Sequence, residues 1–585
     1  MKRTPMPGGL AAEDVAIWRR VRRYAVPRWM IEQATAHRLA GDWRAACAAA
    51  AVDPAFDLGH LAARFGDPAV AAVTEDLRHL APDLVRWHLP RLLGGRTTLA
   101  TDYSVLLATY GPETGSPEVL GLYVTTTPMV EGPQRLRLVC APIGTRFSTS
   151  ASNWTQARHL WDARHAAELR ARFSGGADRL PFFRADGTPL APDEYPAEDS
   201  GTADPAARAE WIAVLLDRNE AAEAFRVAGV ELDLTPPEVK SRPSRVTPLR
   251  LIGNIRVDLG RLAPEVRRLS AAGVADRFKL PAGWRTCLLL ELSGPGAGDP
   301  LRARLVDAND VKDVAALPHH SRQPLPDLHL VHAGLLTPAE LHPLVAASLF
   351  PGAGPAYGPP TPAAPASFRV RCRGEWHEVR FRDGELGIPH TPQEQQREQA
   401  LRAFGGAVAG CFAVRQTVTT GEGRLPRALR EQRRELLQLV QHGDTPAVLA
   451  LLDAGVDPRM MLPNERTLLH LLHLLDHEEL LPRLLAAGLG LEAEDKTERT
   501  PLMMAVTYGG SAELVRALLD AGARIDIVDS METSLAQIIR RYHRADLAFL
   551  RDRVREEFPG LGNEWWDDWM DDQEEYQDED EEDDE

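Results

Sequence analysis

Leu451-Leu452-Asp453-Ala454-Gly455 recurs as Leu484-Leu485-Ala486-Ala487-Gly488 and again as Leu518-Leu519-Asp520-Ala521-Gly522, with glycine spacings of 33 and 34 residues. Thr467, Thr500 and Thr533 keep step at spacings of 33 and 33. Self-similarity at this period predicts an array of small stacked units. Each unit parses as helix, turn, helix, glycine stop and loop. A threonine at the start can cap the first helix through its side-chain oxygen. A glycine after the second helix can take the left-handed conformation that penalises any residue with a Cβ. The paired leucines fall on the neighbour-facing side of the second helices, and a unit this small cannot bury them alone.

These residues resemble the ankyrin repeat, and the resemblance covers 434–558, about the last quarter of the chain. Thr467-Leu468-Leu469-His470 is similar to the T-P-L-H start of that family, with Leu468 in place of Pro. Thr500-Pro501-Leu502 followed by Ala505 is similar too, with Met503 in place of His. An opening unit runs from Leu436-Leu437 through Gly443-Asp444 to Gly455. A degenerate last unit follows Thr533-Ser534-Leu535 and turns polar at Arg551, Asp552, Arg553, Arg555 and Glu556, as suits a capping repeat, so the array holds about four units. Glu465 and Glu498 stand where the family usually has a loop glycine, at an expected cost of about 1 kcal/mol each or an altered turn.

The resemblance implies an all-α solenoid that binds another protein through its hairpin tips and first-helix surfaces. Mapped onto this chain, those positions are Met460, Met461 and Leu462 in one loop, His473 and His477, Tyr508, and Met531. Adjacent methionines in a loop suit an adaptable binding surface. The competing placement folds them back over the core of the first repeat.

Outward from the array, residues 1–190 read as an α+β domain. Apolar spacing at Val15, Trp18, Val21 and Ala25 predicts a helix that Pro27 ends, and more helix follows to residue 93. Alternation at Leu99–Leu107, 119–125 and 136–140 predicts three antiparallel strands, and a helix is expected over 154–173. Residues 191–350 repeat the mixture as a second α+β domain or subdomain. Its helix is expected near 206–229, its strands near 286–293 and 301–307, and a further helix after Thr337. The Pro/Gly/Ala-rich stretch 351–367 reads as a linker. In 368–430, Phe368, Val370 and Cys372 alternate with arginines ahead of a turn at Gly374, and Thr391-Pro392-Gln393-Glu394 opens a helix with a capping box. The repeats occupy 431–563.

The net charge of -17 is a property of the end of the chain. Residues 564–585 hold 15 acidic residues and no Lys or Arg, and setting those aside leaves -2 for the rest. This tail, with Trp565, Trp566 and Trp569, is expected to be disordered. The lysines are only Lys2, Lys240, Lys279, Lys312 and Lys496, an arginine bias that suggests a GC-rich bacterial genome. Cys47, Cys140, Cys287, Cys372 and Cys411 lie far apart with no CxxC pair, so neither a disulfide framework nor a structural zinc site is expected, and the cytoplasm is the expected location. No apolar run approaches the ~20 residues of a membrane span.

Other constellations carry little chemistry. His319, His320, His329, His332 and His342 cluster in sequence, but His329 and His332 would face opposite ways if 328–331 were a strand. Gly294-Pro295-Gly296-Ala297-Gly298 precedes an alternating strand instead of the helix a dinucleotide site requires, and reads as a hairpin loop. Arginines lie near Trp18–Trp29 and in 369–382, but Glu375, Glu378 and Asp383 interleave the second stretch, and the net charge of -2 outside the tail argues against nucleic-acid binding. The expectation is an interaction or adaptor protein with an unidentified protein partner, no catalytic, cofactor or metal residues and no membrane segment. The alternative is an enzyme in 1–350 that uses the repeats to recruit its target.

Overall fold

The three strands expected between residues 99 and 140 form, over Tyr103–Tyr110, Leu120–Thr126 and Leu136–Pro142, and two more extend them into a five-stranded sheet. The computed structural model describes residues 6–563 and 565, apart from 95, 112–117, 176–177, 202, 236–246, 254, 256, 284, 293, 295–299, 364–365, 406–407 and the interrupting 564 at its end. The acidic tail and most of the 294–298 loop therefore lie outside the described residues. The chain divides into two units, the first of 1–126 with 135–360, the second of 127–134 with 361–585.

In the first unit the sheet contains β1 (Val52–Pro54), β2 (Tyr103–Tyr110), β3 (Leu120–Thr126), β4 (Leu136–Pro142) and β5 (Ser150–Asn153), in the order β1-β4-β3-β2-β5. The central three are antiparallel, with Val105 opposite Val124 and Val124 opposite Leu138. The outer two join in parallel. Helices Ala12–Tyr24 and Arg28–Leu39, divided by Pro27, bury Ile17, Val21, Met30 and Ile31 in the same core. The helix expected over 154–173 is replaced by a 3-10 turn, Arg158–Leu160, and a helix, Glu168–Ser174. Buried Asp162 organises the gap: it accepts from the Arg164 backbone N–H at 3.0 Å and from the Arg164 guanidinium, bonds that compete with a helical ladder.

A second sheet, β6 (Val230–Asp233), β7 (Arg277–Pro281), β8 (Thr286–Leu292) and β9 (Leu301–Asp307), is ordered β6-β9-β8-β7. Leu292 pairs with Leu301 in the antiparallel pairing of β8 with β9. The expected helix near 206–229 is two, Pro205–Asp217 and Ala221–Val227, which pack with this sheet around Phe225, Val266, Phe278 and Leu288. Residues 325–350, however, join the core of the first sheet through Leu330, Leu341, Leu349 and Phe350. Segment 328–331 is helical within Pro326–His332, and its Asp327 accepts a two-pronged bond from Arg22 at 2.9 and 2.7 Å. The expected linker is also shorter than its composition suggests. The Tyr357 N–H donates to the Ala339 carbonyl at 2.9 Å, and a Cβ at Gly358 would fall 2.6 Å from Ile31 Cδ1. The boundary lies after residue 360.

The second unit opens with β10 (Phe368–Cys372), β11 (Glu375–Arg382) and β12 (Glu385–Gly387), an antiparallel sheet that buries Val370, Cys372, Val379 and Phe381. Arg373 and Gly374, at φ 51° and 92°, make the two-residue turn whose twist matches paired strands. Thr391 and Glu394 form the expected capping box at the head of helix Pro392–Ala403. Helix Gly410–Thr420 follows.

The repeats form four helix pairs: Arg427–Gln441 with Thr445–Asp453, the 3-10 helix Leu469–Leu474 with His477–Ala486, Pro501–Thr507 with Ala512–Asp520, and Leu535–Arg541 with Ala548–Glu557. Gly455, Gly488 and Gly522 sit at φ 90°, 83° and 99°. Each begins a left-handed stop in which the next N–H returns to the carbonyl five residues back: Val456 to Leu451, Leu489 to Leu484 and Ala523 to Leu518, at 3.0–3.2 Å. Thr500 caps its helix as expected, accepting from the Met503 N–H. In the last pair the cap is Ser534, with Gln537 completing a capping box, and not Thr533. The extra residue lies within the preceding repeat, between Thr500 and Gly522, so the cap moves on by one, in step with the 34-residue glycine spacing. Among the described residues no helix is long and apolar enough to cross a membrane.

Candidate functional site

The loops ahead of the first helices are built on buried aspartates. Asp495 accepts from the Thr497 N–H at 2.8 Å and the Arg499 N–H at 3.3 Å, and Asp529 from the Met531 and Thr533 N–H groups at 3.0 and 3.1 Å. Burial alone would raise both carboxyl pKa values. Hydrogen bonds from Thr497 and Arg466 at Asp495, and from Arg499, Thr533 and Met531 at Asp529, outweigh it and hold both below the ordinary 3.8. The turns carry Glu465, Glu498 and Glu532 at φ 59°, 59° and 57°. The left-handed backbone expected of a glycine is thus kept, with a glutamate bearing its strain.

The seven residues assigned to the binding face do not share one environment. Met460 and Leu462 are buried, at 1% and 2% exposure, which corrects their placement on the surface. The cause is the Met461 N–H, which donates to the Val418 carbonyl of helix Gly410–Thr420 at 2.8 Å and turns the loop inward. His473 is buried as well. Its Nε2 lies 3.0 Å from the carbonyl oxygen of Glu131, in the short 127–134 segment of this unit, and its Nδ1 lies 3.1 Å from the His470 carbonyl. Burial pushes its pKa down to about 4. The Tyr508 ring stacks on His473 with centroids 5.8 Å apart, and the Tyr508 hydroxyl accepts from Arg499 at 3.2 Å. Met461, His477 and Tyr508 are half-buried, and Met531 is 54% exposed. Glu131 reaches the same face with its carboxylate, 2.9 Å from Arg466 Nη1.

A second cluster escaped the sequence reading. Cys372 ends β10, His377 stands on the same face of β11, His390 precedes the capping box, and Cys411 lies in the first turn of helix Gly410–Thr420. Their donor atoms all lie within 4.8 Å of one another. The intervals of 4, 12 and 20 residues match no short pattern, and only the Cys-x4-His step across a hairpin turn offered a signal.

The histidines that cluster in sequence disperse in the first unit. His332 Nε2 lies 3.2 Å from the Tyr195 hydroxyl, while His342 Nε2 lies 2.9 Å from Asp83. His320 instead lines a cavity of about 830 Å³ with Trp18, Arg22, His88 and His159. Burial drives all three imidazoles to the neutral form, His320 to about 3, with nearby Arg22, Arg172 and Arg261 adding to the effect. His88 Nε2, His159 Nδ1 and both His320 nitrogens have no hydrogen-bond partner among the described residues.

The repeat geometry and the family comparison agree. The match takes in the first three helix pairs except the first turns of the opening helix, and leaves the Ser534-capped pair beyond it. Residues 436–529, in the C-terminal part of this 585-residue chain, match the family model for ankyrin repeats in three copies, and this part of the chain is an ankyrin-repeat segment.

Proposed function

We propose that the chain is an adaptor that holds a protein partner on the first-helix and loop face of its repeats. Ankyrin repeats support protein–protein interaction in general. The observation that carries the finer reading is the 127–134 segment. Its Glu131 meets the stack as a bound peptide would, with a backbone carbonyl at His473 and a carboxylate at Arg466. Met461, His477, Tyr508 and Met531 keep exposed surface, and apolar and aromatic side chains of this kind are the anchors that concentrate binding energy. A partner with a carboxylate-bearing turn suits it. Five free cysteines suit a reducing cytoplasm.

The alternative, an enzyme within 1–350, draws on the imidazole-lined cavity. Its imidazoles are held neutral by burial, and the repeat segment is the observation that favours the adaptor. The test is capture of partners by the intact chain beside a His477→Ala/Met531→Ala variant, with mass spectrometry and thermal unfolding on both. A partner recovered by the first and lost by the second, at unchanged melting temperature, supports the reading. Equal recovery rejects the assigned face.

A further inference from the structure

We propose that Cys372, His377, His390 and Cys411 bind a zinc ion as a closed four-ligand centre that ties the β10–β11 hairpin to helix Gly410–Thr420. His377 Nδ1 lies 3.2 Å from His390 Nε2, Cys372 Sγ lies 3.6 Å from His390 Nε2, and Cys411 Sγ lies 3.6 Å from His377 Nδ1. A tetrahedral zinc with its usual bond lengths sets its ligand nitrogens about 3.3 Å apart and a sulfur and a nitrogen about 3.5 Å apart. These three of the six edges match those of a tetrahedron around one ion. Donor atoms within 4.8 Å of one another leave room for a single metal.

The donor types select the metal. Two thiols and two imidazoles suit zinc and are foreign to magnesium or calcium, which take oxygen ligands. Binding takes both cysteines as thiolates, so two protons leave, and the two negative charges balance the dication. The buried centre then carries no net charge, which lowers the cost of burying it. Hydrogen bonding gives no comparable reason for the cluster, since a thiol is a weak donor.

The surroundings are built around the four side chains. Cys372 and Cys411 are buried, and the Phe412 ring covers His390 with centroids 4.6 Å apart. Glu394 Oε2 approaches His390 Nδ1 at 3.7 Å, on the side of the ring away from the cluster, where a metal-bound histidine commonly finds a carboxylate. Gly410 sits at φ +61°, and a Cβ there would fall 2.5 Å from Cys372 Sγ. Glycine before Cys411 is what lets the two sulfurs approach. Four protein ligands leave no open position, so the centre is structural, and it joins elements whose own apolar core is small.

The test uses the full-length chain and zinc alone. Purified under reducing conditions and supplied with one equivalent of zinc, it is expected to retain about one ion per chain after desalting, measured by plasma mass spectrometry. Cys372→Ser with Cys411→Ser is expected to lower retention roughly tenfold or more, while Cys140→Ser leaves it unchanged. Should the double variant fail to fold, X-ray absorption at the zinc edge of the unmodified chain decides. Two sulfurs at about 2.3 Å and two nitrogens at about 2.0–2.1 Å are expected. No retained zinc, full retention by the double variant, or a shell of oxygens would each overturn the proposal.

Discussion

Arg499 Nη2 lies 2.8 Å from Asp529 Oδ2 in the next repeat's loop, and one repeat earlier Arg466 Nε stands in the same relation to Asp495 at 3.0 Å. Each aspartate already shapes its own loop by accepting backbone N–H groups. The arginine therefore fastens the loop of one repeat to the turn of its neighbour, the kind of nearest-neighbour term on which a solenoid's stability rests.

Arg499→Met leaves the Asp529 carboxylate, 2% exposed, without its cation. The expected cost is about 2–3 kcal/mol, the low end for a buried pair because the arginine still meets solvent. A double-mutant cycle with Asp529→Asn, read by urea unfolding, should return a coupling of about 1 kcal/mol or more. A coupling near zero would make the pair incidental to how the repeats hold together.

Glu498 occupies a left-handed backbone position at φ 59°. Glu498→Gly removes the Cβ that makes this conformation costly, with an expected gain of about 1 kcal/mol in unfolding free energy. Loss of stability instead would mean that the glutamate side chain makes an interaction worth more than the strain.

Met460 and Met531 should separate core from surface. Met460→Ala and Leu518→Ala each empty a buried site and should cost roughly 2–5 kcal/mol. Met531→Ala should leave stability within about 0.5 kcal/mol. Thermal unfolding of the three variants checks this, and a Met531→Ala variant that melts as early as Leu518→Ala would put that side chain in the core.

Acidification should loosen the stack in two stages. The pKa values of His470 and His473 are both pushed down to about 4 by burial, from an ordinary 6.5. The folded state thus prefers them neutral, so their stabilisation is intact above pH 6.5 and is lost as pH falls toward 4, on the order of 3 kcal/mol each at most. Asp495 and Asp529, held below 3.8, release theirs only below that value. The melting temperature should begin to fall near pH 6, and His473→Gln should blunt the first stage. A flat profile from pH 7 to 4.5 would contradict the burial of these rings.

The sequence by itself determined the repeats. Their period is local, with a leucine pair and a left-handed glycine recurring within about 34 residues, and each signal acts through a preference readable without distant neighbours, whereas of the three threonines read as caps only Thr500 caps its helix. The hairpin turn at Gly374 and the capping box at Thr391 were legible for the same reason. Tertiary structure alone decided the rest. Met460 and Met461 look like a surface loop until a backbone bond to Val418 turns the loop inward. Residues 325–350 look contiguous with the second sheet until Asp327 finds Arg22, 305 residues away. Cys372 and Cys411 look isolated until a hairpin and a helix bring them beside His377 and His390. In each case the deciding contact joins residues far apart in the chain, and spacing carries no record of it.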